Sequence, residues 1–138
     1  MKYDAVEQAR NYLLEKTGSA PDIAVIMGSG VSAAEDILQH PTRIHYVTIP
    51  NFPLPKVAGH RAQAIFGKAH GMNVLVFEGR VHYYEGTSMD DVTFCTRVIA
   101  RTGAKALVLT NAAGAVNTSF VPGRVMLISD HINLLGAN

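Results

Sequence analysis

The sequence predicts an α/β fold: a mixed, largely parallel, twisted sheet flanked by helices. Three observations predict it. Short continuous apolar runs occur at Ile23-Ala24-Val25-Ile26, at Val74-Leu75-Val76-Phe77 and, inside a strand expected over 106–110, at Ala106-Leu107-Val108-Leu109, the pattern of strands buried on both faces. Helical patterns interleave with those runs, which is the order of an α/β protein. Each run also ends directly in glycine, polar or small residues: 28–30, 79–85 and 111–114. In open α/β sheets, ligands collect at the carboxyl ends of the strands, so three such loops meeting there would make one anion site.

Taken in order, residues 4–17 predict an amphipathic helix, with Asp4 and Glu7 spaced as a capping box and Gly18 at the stop. Residues 22–27 predict the first strand. Gly28-Ser29-Gly30 follows, and 31–39 predict a short helix ended by His40-Pro41. Residues 43–49 alternate weakly, as a strand would. Pro50, Pro53 and Pro55 exclude regular structure over the next stretch. Residues 62–68 and 72–77 predict a hairpin turning at Ala69-His70-Gly71. Residues 88–102 predict a helix with Ser88 as cap, Asp90 and Asp91 in its first turn and Gly103 past its end. The strand over 106–110 follows, and 125–128 predict a last strand.

Length and composition set bounds on function. A chain of 138 residues is the size of one domain. Its formal net charge is +1, without a basic cluster or stripe, so nothing marks a nucleic-acid surface. A single cysteine, Cys95, allows no internal disulfide; it fits a reducing compartment and a packed thiol. No apolar run is long enough for a bilayer, and the N-terminal residues have no signal-peptide core; the cytoplasm is the expected location. The six histidines show no zinc-type spacing with cysteine.

The residues with chemistry concentrate in Glu78-Gly79-Arg80-Val81-His82-Tyr83-Tyr84-Glu85-Gly86. If 80–84 is extended, the period of two puts Arg80, His82 and Tyr84 on one side. Arg80 can grip a phosphate or carboxylate bidentately, His82 can add a hydrogen bond near neutral pH, and Tyr84 can cover a sugar and still offer its hydroxyl. A polar loop after a buried strand is the alternative reading. Gly28-Ser29-Gly30-Val31-Ser32-Ala33 fits the dinucleotide fingerprint in form. That fingerprint expects an acidic residue about twenty positions on, yet no Asp or Glu stands between Asp36 and Glu78. A single-phosphate site, with the Ser29 hydroxyl, backbone N–H groups and Arg80, is the other reading of the turn.

Six segments then come in one order: Gly28-Ser29-Gly30, Ile49-Pro50-Asn51-Phe52-Pro53, Gly59-His60, Gly79-Arg80-Val81-His82-Tyr83-Tyr84-Glu85-Gly86, Thr110-Asn111-Ala112-Ala113-Gly114 and Asp130-His131-Ile132-Asn133. This order resembles the trimeric purine nucleoside phosphorylases, from the first strand to the C-terminus. The related methylthioadenosine phosphorylases look similar but usually carry Thr where Ser29 stands. The resemblance implies a phosphorylase/hydrolase-like fold, incomplete here because the family's members run to about twice this length. The chain would be a single domain, residues 1–138, forming the N-terminal portion.

By the same resemblance, Ser29, His60, Arg80, His82 and the backbone N–H of Ala112 match the family's phosphate ligands, with Arg80 and His82 carrying the chemistry. Tyr84 matches the residue that packs on the ribose, and Glu85 a carboxylate that orients the histidine at 82. Three positions depart from the family pattern: Ser32 and Ala62 replace glycines, and Ala58 replaces a proline. The implied reaction is phosphorolysis of purine (deoxy)ribonucleosides to free base and (deoxy)ribose 1-phosphate. The expected ligands are a purine nucleoside and inorganic phosphate, a co-substrate, with no cofactor, no metal, no membrane and no nucleic acid. The full-length family is expected to be homotrimeric. The purine-gripping residues fall in the half not matched, so these residues by themselves are expected to show little or no inosine phosphorolysis. A non-catalytic phosphate- or nucleotide-binding module and an inactive fragment are the alternatives, beside a methylthioadenosine phosphorylase or a dinucleotide-binding domain.

Overall fold

The computed structural model describes residues 3–28, 34–55 and 61–137. The elements run α1 (Tyr3–Thr17), β1 (Ile23–Met27), α2 (Ala34–Ile37), β2 (Gln39–His45), β3 (Gln63–Ala69), β4 (Met72–Glu78), α3 (Met89–Val92), α4 (Phe94–Thr102) and β5 (Ala106–Leu109), with single 3-10 turns at Tyr46–Thr48 and Tyr83–Glu85. Among the described residues the strands form one five-stranded sheet in the order β2-β3-β4-β1-β5. It is mixed, as the sequence predicts. β1 lies parallel to both β4 and β5, while β2, β3 and β4 form an antiparallel meander.

The two faces of the sheet are covered differently. On one, α1 and α4 bury Val6, Ala9, Leu13, Phe94, Val98 and Ile99 against Ala24, Ile26, Ala64, Phe66, Leu75 and Phe77. On the other, Leu38 closes over Met27, Ile65, Val74 and Val76. The alternation along β4 produces this division, since neighbouring strand residues point to opposite faces. Arg10 Nε donates to the Arg101 carbonyl at 3.1 Å and helps to hold the two helices together.

The hairpin forms where the sequence predicts it. Ala69 pairs with Met72, and the two residues between them, His70 (φ 50) and Gly71 (φ 80), both have positive φ. That is a type I′ turn, whose twist matches the strands. Ser88 caps α3, accepting the Asp91 N–H through its hydroxyl at 3.2 Å.

Other expectations are corrected. Asp4 lies inside the first turn of α1, not at its cap, where a carboxylate still complements the helix dipole. The described part of the second helix stops at Ile37, and His40-Pro41 belong to β2 instead. Proline survives there because β2 is the sheet edge and the pairing register shifts between Gln39 and Thr42. The strand expected over 43–49 ends at His45, in the Tyr46–Thr48 turn. The helix expected over 88–102 is split at Thr93, whose hydroxyl donates back to the Met89 carbonyl at 2.8 Å. Residues 125–128 form no strand; Val125 and Leu127 are exposed. A strand needs a ladder to join, and among the described residues none pairs with the outer side of β5. No described helix is long and apolar enough to cross a membrane.

Asp22 locks the start of the parallel strands. Its carboxylate accepts the Asn73 N–H at 3.0 Å and the Lys105 ammonium at 3.2 Å. The hydrogen bond from Asn73, then the one from Lys105, hold its carboxyl below the usual carboxylate range. A lowered folded-state pKa contributes stability above the unfolded-state value, and that stability is lost as pH falls through the folded one. Asp22→Asn is therefore expected to lower the melting temperature at neutral pH, with the difference closing in acid. A gap that persists unchanged to low pH in a thermal melt series would contradict the ionic origin.

Candidate active site

β4, β1 and β5 lie side by side and parallel, ending at Glu78, Met27 and Leu109. The loops that leave them therefore start at one edge. Hydrogen bonds tie these starts together. The Gly28 N–H donates to the Thr110 hydroxyl at 2.9 Å, and the Thr110 N–H donates to the Ile26 carbonyl at 3.1 Å. Arg80, from the loop after β4, passes the end of β1 and donates from Nη1 to the Thr110 carbonyl at 3.1 Å. The close approach requires glycine at 28: a Cβ there would stand 2.3 Å from the Thr110 carbonyl oxygen.

The stretch from Arg80 is extended only as far as His82 (φ −121, ψ 150) and then turns through Tyr83–Glu85. The expectation of an extended 80–84 fails there, because Glu85 folds the chain back. Its Oε1 accepts the His82 N–H at 2.9 Å, and its own N–H donates to the His82 carbonyl at 3.1 Å. His82 and Tyr84 nevertheless share a side: their rings stack at 4.8 Å between centroids and 14° between planes. Arg80 and His82 are half-buried, and Tyr84 is 79% exposed. The outcome is a half-buried anchor that carries an exposed aromatic step.

The loop is held from below. The Tyr46 hydroxyl donates to the Gly79 carbonyl at 2.8 Å. Tyr46 is 1% exposed, and burial pushes its phenol well above the usual range, so it remains a donor at any physiological pH. Beside it, the buried Gln63 donates from Nε2 to Glu78 Oε2 at 2.8 Å.

The structure thus brings Arg80 to the Thr110 loop, stacks His82 on Tyr84 and fastens Glu85 to the His82 backbone. Ala112 lies two residues beyond Thr110 and is exposed. Ser29 and His60 lie outside the described residues. Sequence alone assigns no role to Tyr46 or Gln63, and it includes Glu78 in the polar stretch without a role of its own. For Glu78 a signal existed: a carboxylate directly closing an apolar strand. Tyr46 and Gln63 carried none, since their partners are set by strand pairing. Among the described residues, no three His, Cys, Asp or Glu side chains gather as a metal set. Cys95 packs against the core, and burial pushes its thiol up.

Residues 22–138 match the family model described as the phosphorylase superfamily. The chain belongs to the phosphorylase superfamily. It is similar to purine nucleoside phosphorylase 1 of Geobacillus stearothermophilus, 48% identical over 138 residues, which are 100% of this chain and 50% of that protein. Among solved structures it is similar to the purine nucleoside phosphorylase of Schistosoma mansoni in complex with acetate, at TM-score 0.79 and 38% identity, over 86% of this chain and 44% of the other. Isoform 2 from Schistosoma mansoni, in complex with cytosine and ribose 1-phosphate, matches at TM-score 0.77 and 33% identity, over 85% of this chain and 41% of the other. This phosphorylase-family chain spans about half the length of the curated relatives it matches.

Proposed function

We propose that these residues form the phosphate-binding part, and one wall of the ribose site, of a purine nucleoside phosphorylase. The observation that carries this is the Arg80 guanidinium, held across the end of β1 on the Thr110 carbonyl beside Gly28. One of its five donors is committed there, which fixes the plane of the fork in which an oxyanion would be gripped. The solved relative that holds ribose 1-phosphate supports phosphate and pentose as the ligands.

In this reading inorganic phosphate is a co-substrate, and no cofactor takes part. Arg80 and His82 bind it, joined by Ser29, His60 and the Ala112 N–H. A phosphate oxygen attacks the anomeric carbon of a purine (deoxy)ribonucleoside as the glycosidic C–N bond breaks. The bonding pair leaves with the purine, which takes up a proton, and (deoxy)ribose 1-phosphate is the other product. A fixed dianion stabilises the oxocarbenium-like transition state more than the neutral substrate, which is what accelerates the step. Tyr84 covers the ribose with the ring that stacks on His82, and Glu85 holds His82 in place through its backbone. The whole protein would work as a homotrimer.

Calorimetric titration with inorganic phosphate tests the reading. Saturable binding is expected, and Arg80→Ala should weaken it about tenfold to a hundredfold, the worth of a hydrogen bond to a charged group. Equal affinity in the folded variant would remove Arg80 from the site.

A further inference from the structure

We propose, resting on the phosphate-binding reading above, that the buried Gln63–Glu78 pair is a positioning device that sets the Arg80 loop at the carboxyl edge of the sheet. Gln63 opens β3 and Glu78 closes β4, and the two are direct cross-strand partners. They are 5% and 6% exposed and joined Nε2 to Oε2 at 2.8 Å. Arg61 Nη1 stands 4.0 Å from the same oxygen. In the parallel register Glu78 also lies opposite Met27. The pair is therefore level with the start of the loop at Gly28. Two residues after Glu78 comes Arg80.

Sheet cohesion alone does not explain the pair. Burying a carboxylate is costly, and two apolar residues at these positions would hold the hairpin as well or better. A carboxylate–amide bond differs from apolar packing in fixing direction: it admits one relative placement of the two strand ends. Tyr46, donating to the Gly79 carbonyl between Glu78 and Arg80, extends the same constraint to the base of the loop. Gln63 and Glu78 act through Arg80 and touch no substrate.

The test uses the chain with Gln63→Glu, Glu78→Ala and the exchanged pair Gln63→Glu/Glu78→Gln, which restores one amide and one carboxylate with the roles reversed. Inorganic phosphate is the titrant, at temperatures where each variant is folded by near-UV circular dichroism. Phosphate affinity should fall on the order of tenfold to a hundredfold in the single variants, the cost of a small misplacement of binding groups, and return in the exchanged pair. Lower melting temperatures with unchanged phosphate affinity in folded variants would overturn the proposal and leave the pair a structural staple. Hydrogen exchange gives a reading that does not depend on phosphate. The His82 and Glu85 amides should exchange faster in the single variants while those of β1 do not, and unchanged rates at both would also overturn it. If the unsubstituted chain binds no phosphate, the functional reading fails, and the exchange rates still decide whether the pair sets the loop.

Discussion

Phe77→Ala is expected to destabilise the protein by about 3–5 kcal/mol, the usual cost of deleting a fully buried aromatic ring. Phe77 is 0% exposed. Its ring stacks on Phe52 at 5.9 Å with 5° between planes, and Tyr46 stands 6.2 Å away. Phe52 in turn meets Phe94 edge-on at 5.8 Å. The four rings connect β4, the segment after β2 and α4. Removing the Phe77 ring would leave a void beside Phe52 and Tyr46, two rigid rings that cannot collapse into it. A domain of this size has about 5–15 kcal/mol of total stability, so the variant would lose a large share of its margin. The damage should also reach the site, because Tyr46 holds the Gly79 carbonyl. Urea unfolding followed by circular dichroism measures the loss; a change below about 1 kcal/mol would mean that the ring is not part of a packed core.

How much of this was legible beforehand depends on the range of the forces involved. Strands β1, β4 and β5 are legible because their residues are apolar on both faces, but the burial expected of β5 fails: it is a sheet edge among the described residues, and Val108 and Leu109 are exposed. The hairpin was readable because His70-Gly71 is a local signal. Ser88 and Gly103 marked helix ends through their own backbone chemistry. β2 was misplaced because a proline reads as a breaker unless the strand is at an edge, and edge position is a property of the whole sheet. Residues 125–128 show the converse: four apolar residues suggest a strand, but the pairing that would make one is not local.

The site divides the same way. The residue types at 80–85 announced anion and sugar chemistry, and their positions after strands placed them at one edge. Local spacing could not foresee that Glu85 turns the chain back onto the His82 backbone, nor that the Arg80 fork reaches Thr110. The buried polar pair at 63 and 78 was illegible for a different reason. Its two members stand 15 residues apart, and only the strand register makes them partners.

Gly28→Ala is expected to act at the meeting point of the three loops. The added Cβ would stand 2.3 Å from the Thr110 carbonyl oxygen and 3.0 Å from both the Thr110 carbonyl carbon and the Asn111 Cα. These are backbone atoms, so no side-chain rotation relieves the contact. The ends of β1 and β5 must separate. That separation pulls on the Gly28 N–H bond to the Thr110 hydroxyl and carries the Thr110 carbonyl away from Arg80. Overpacking of this kind costs about 1–3 kcal/mol, less than the loss of Phe77, but its effect on binding should be larger in proportion. An arginine whose fork has lost its anchor spends less time in the binding orientation, and the Ala112 N–H moves with its loop. Phosphate affinity should therefore drop by at least about tenfold, the scale set by small misplacements of binding groups, while Gly71→Ala, at the far end of the sheet, should leave it unchanged. Thermal melts beside phosphate titrations of the two variants separate the effects. If Gly28→Ala lowers the melting temperature yet binds phosphate as tightly as the unsubstituted chain, the contact between the Gly28 and Thr110 loops supports the sheet only, and the anion site must be built elsewhere.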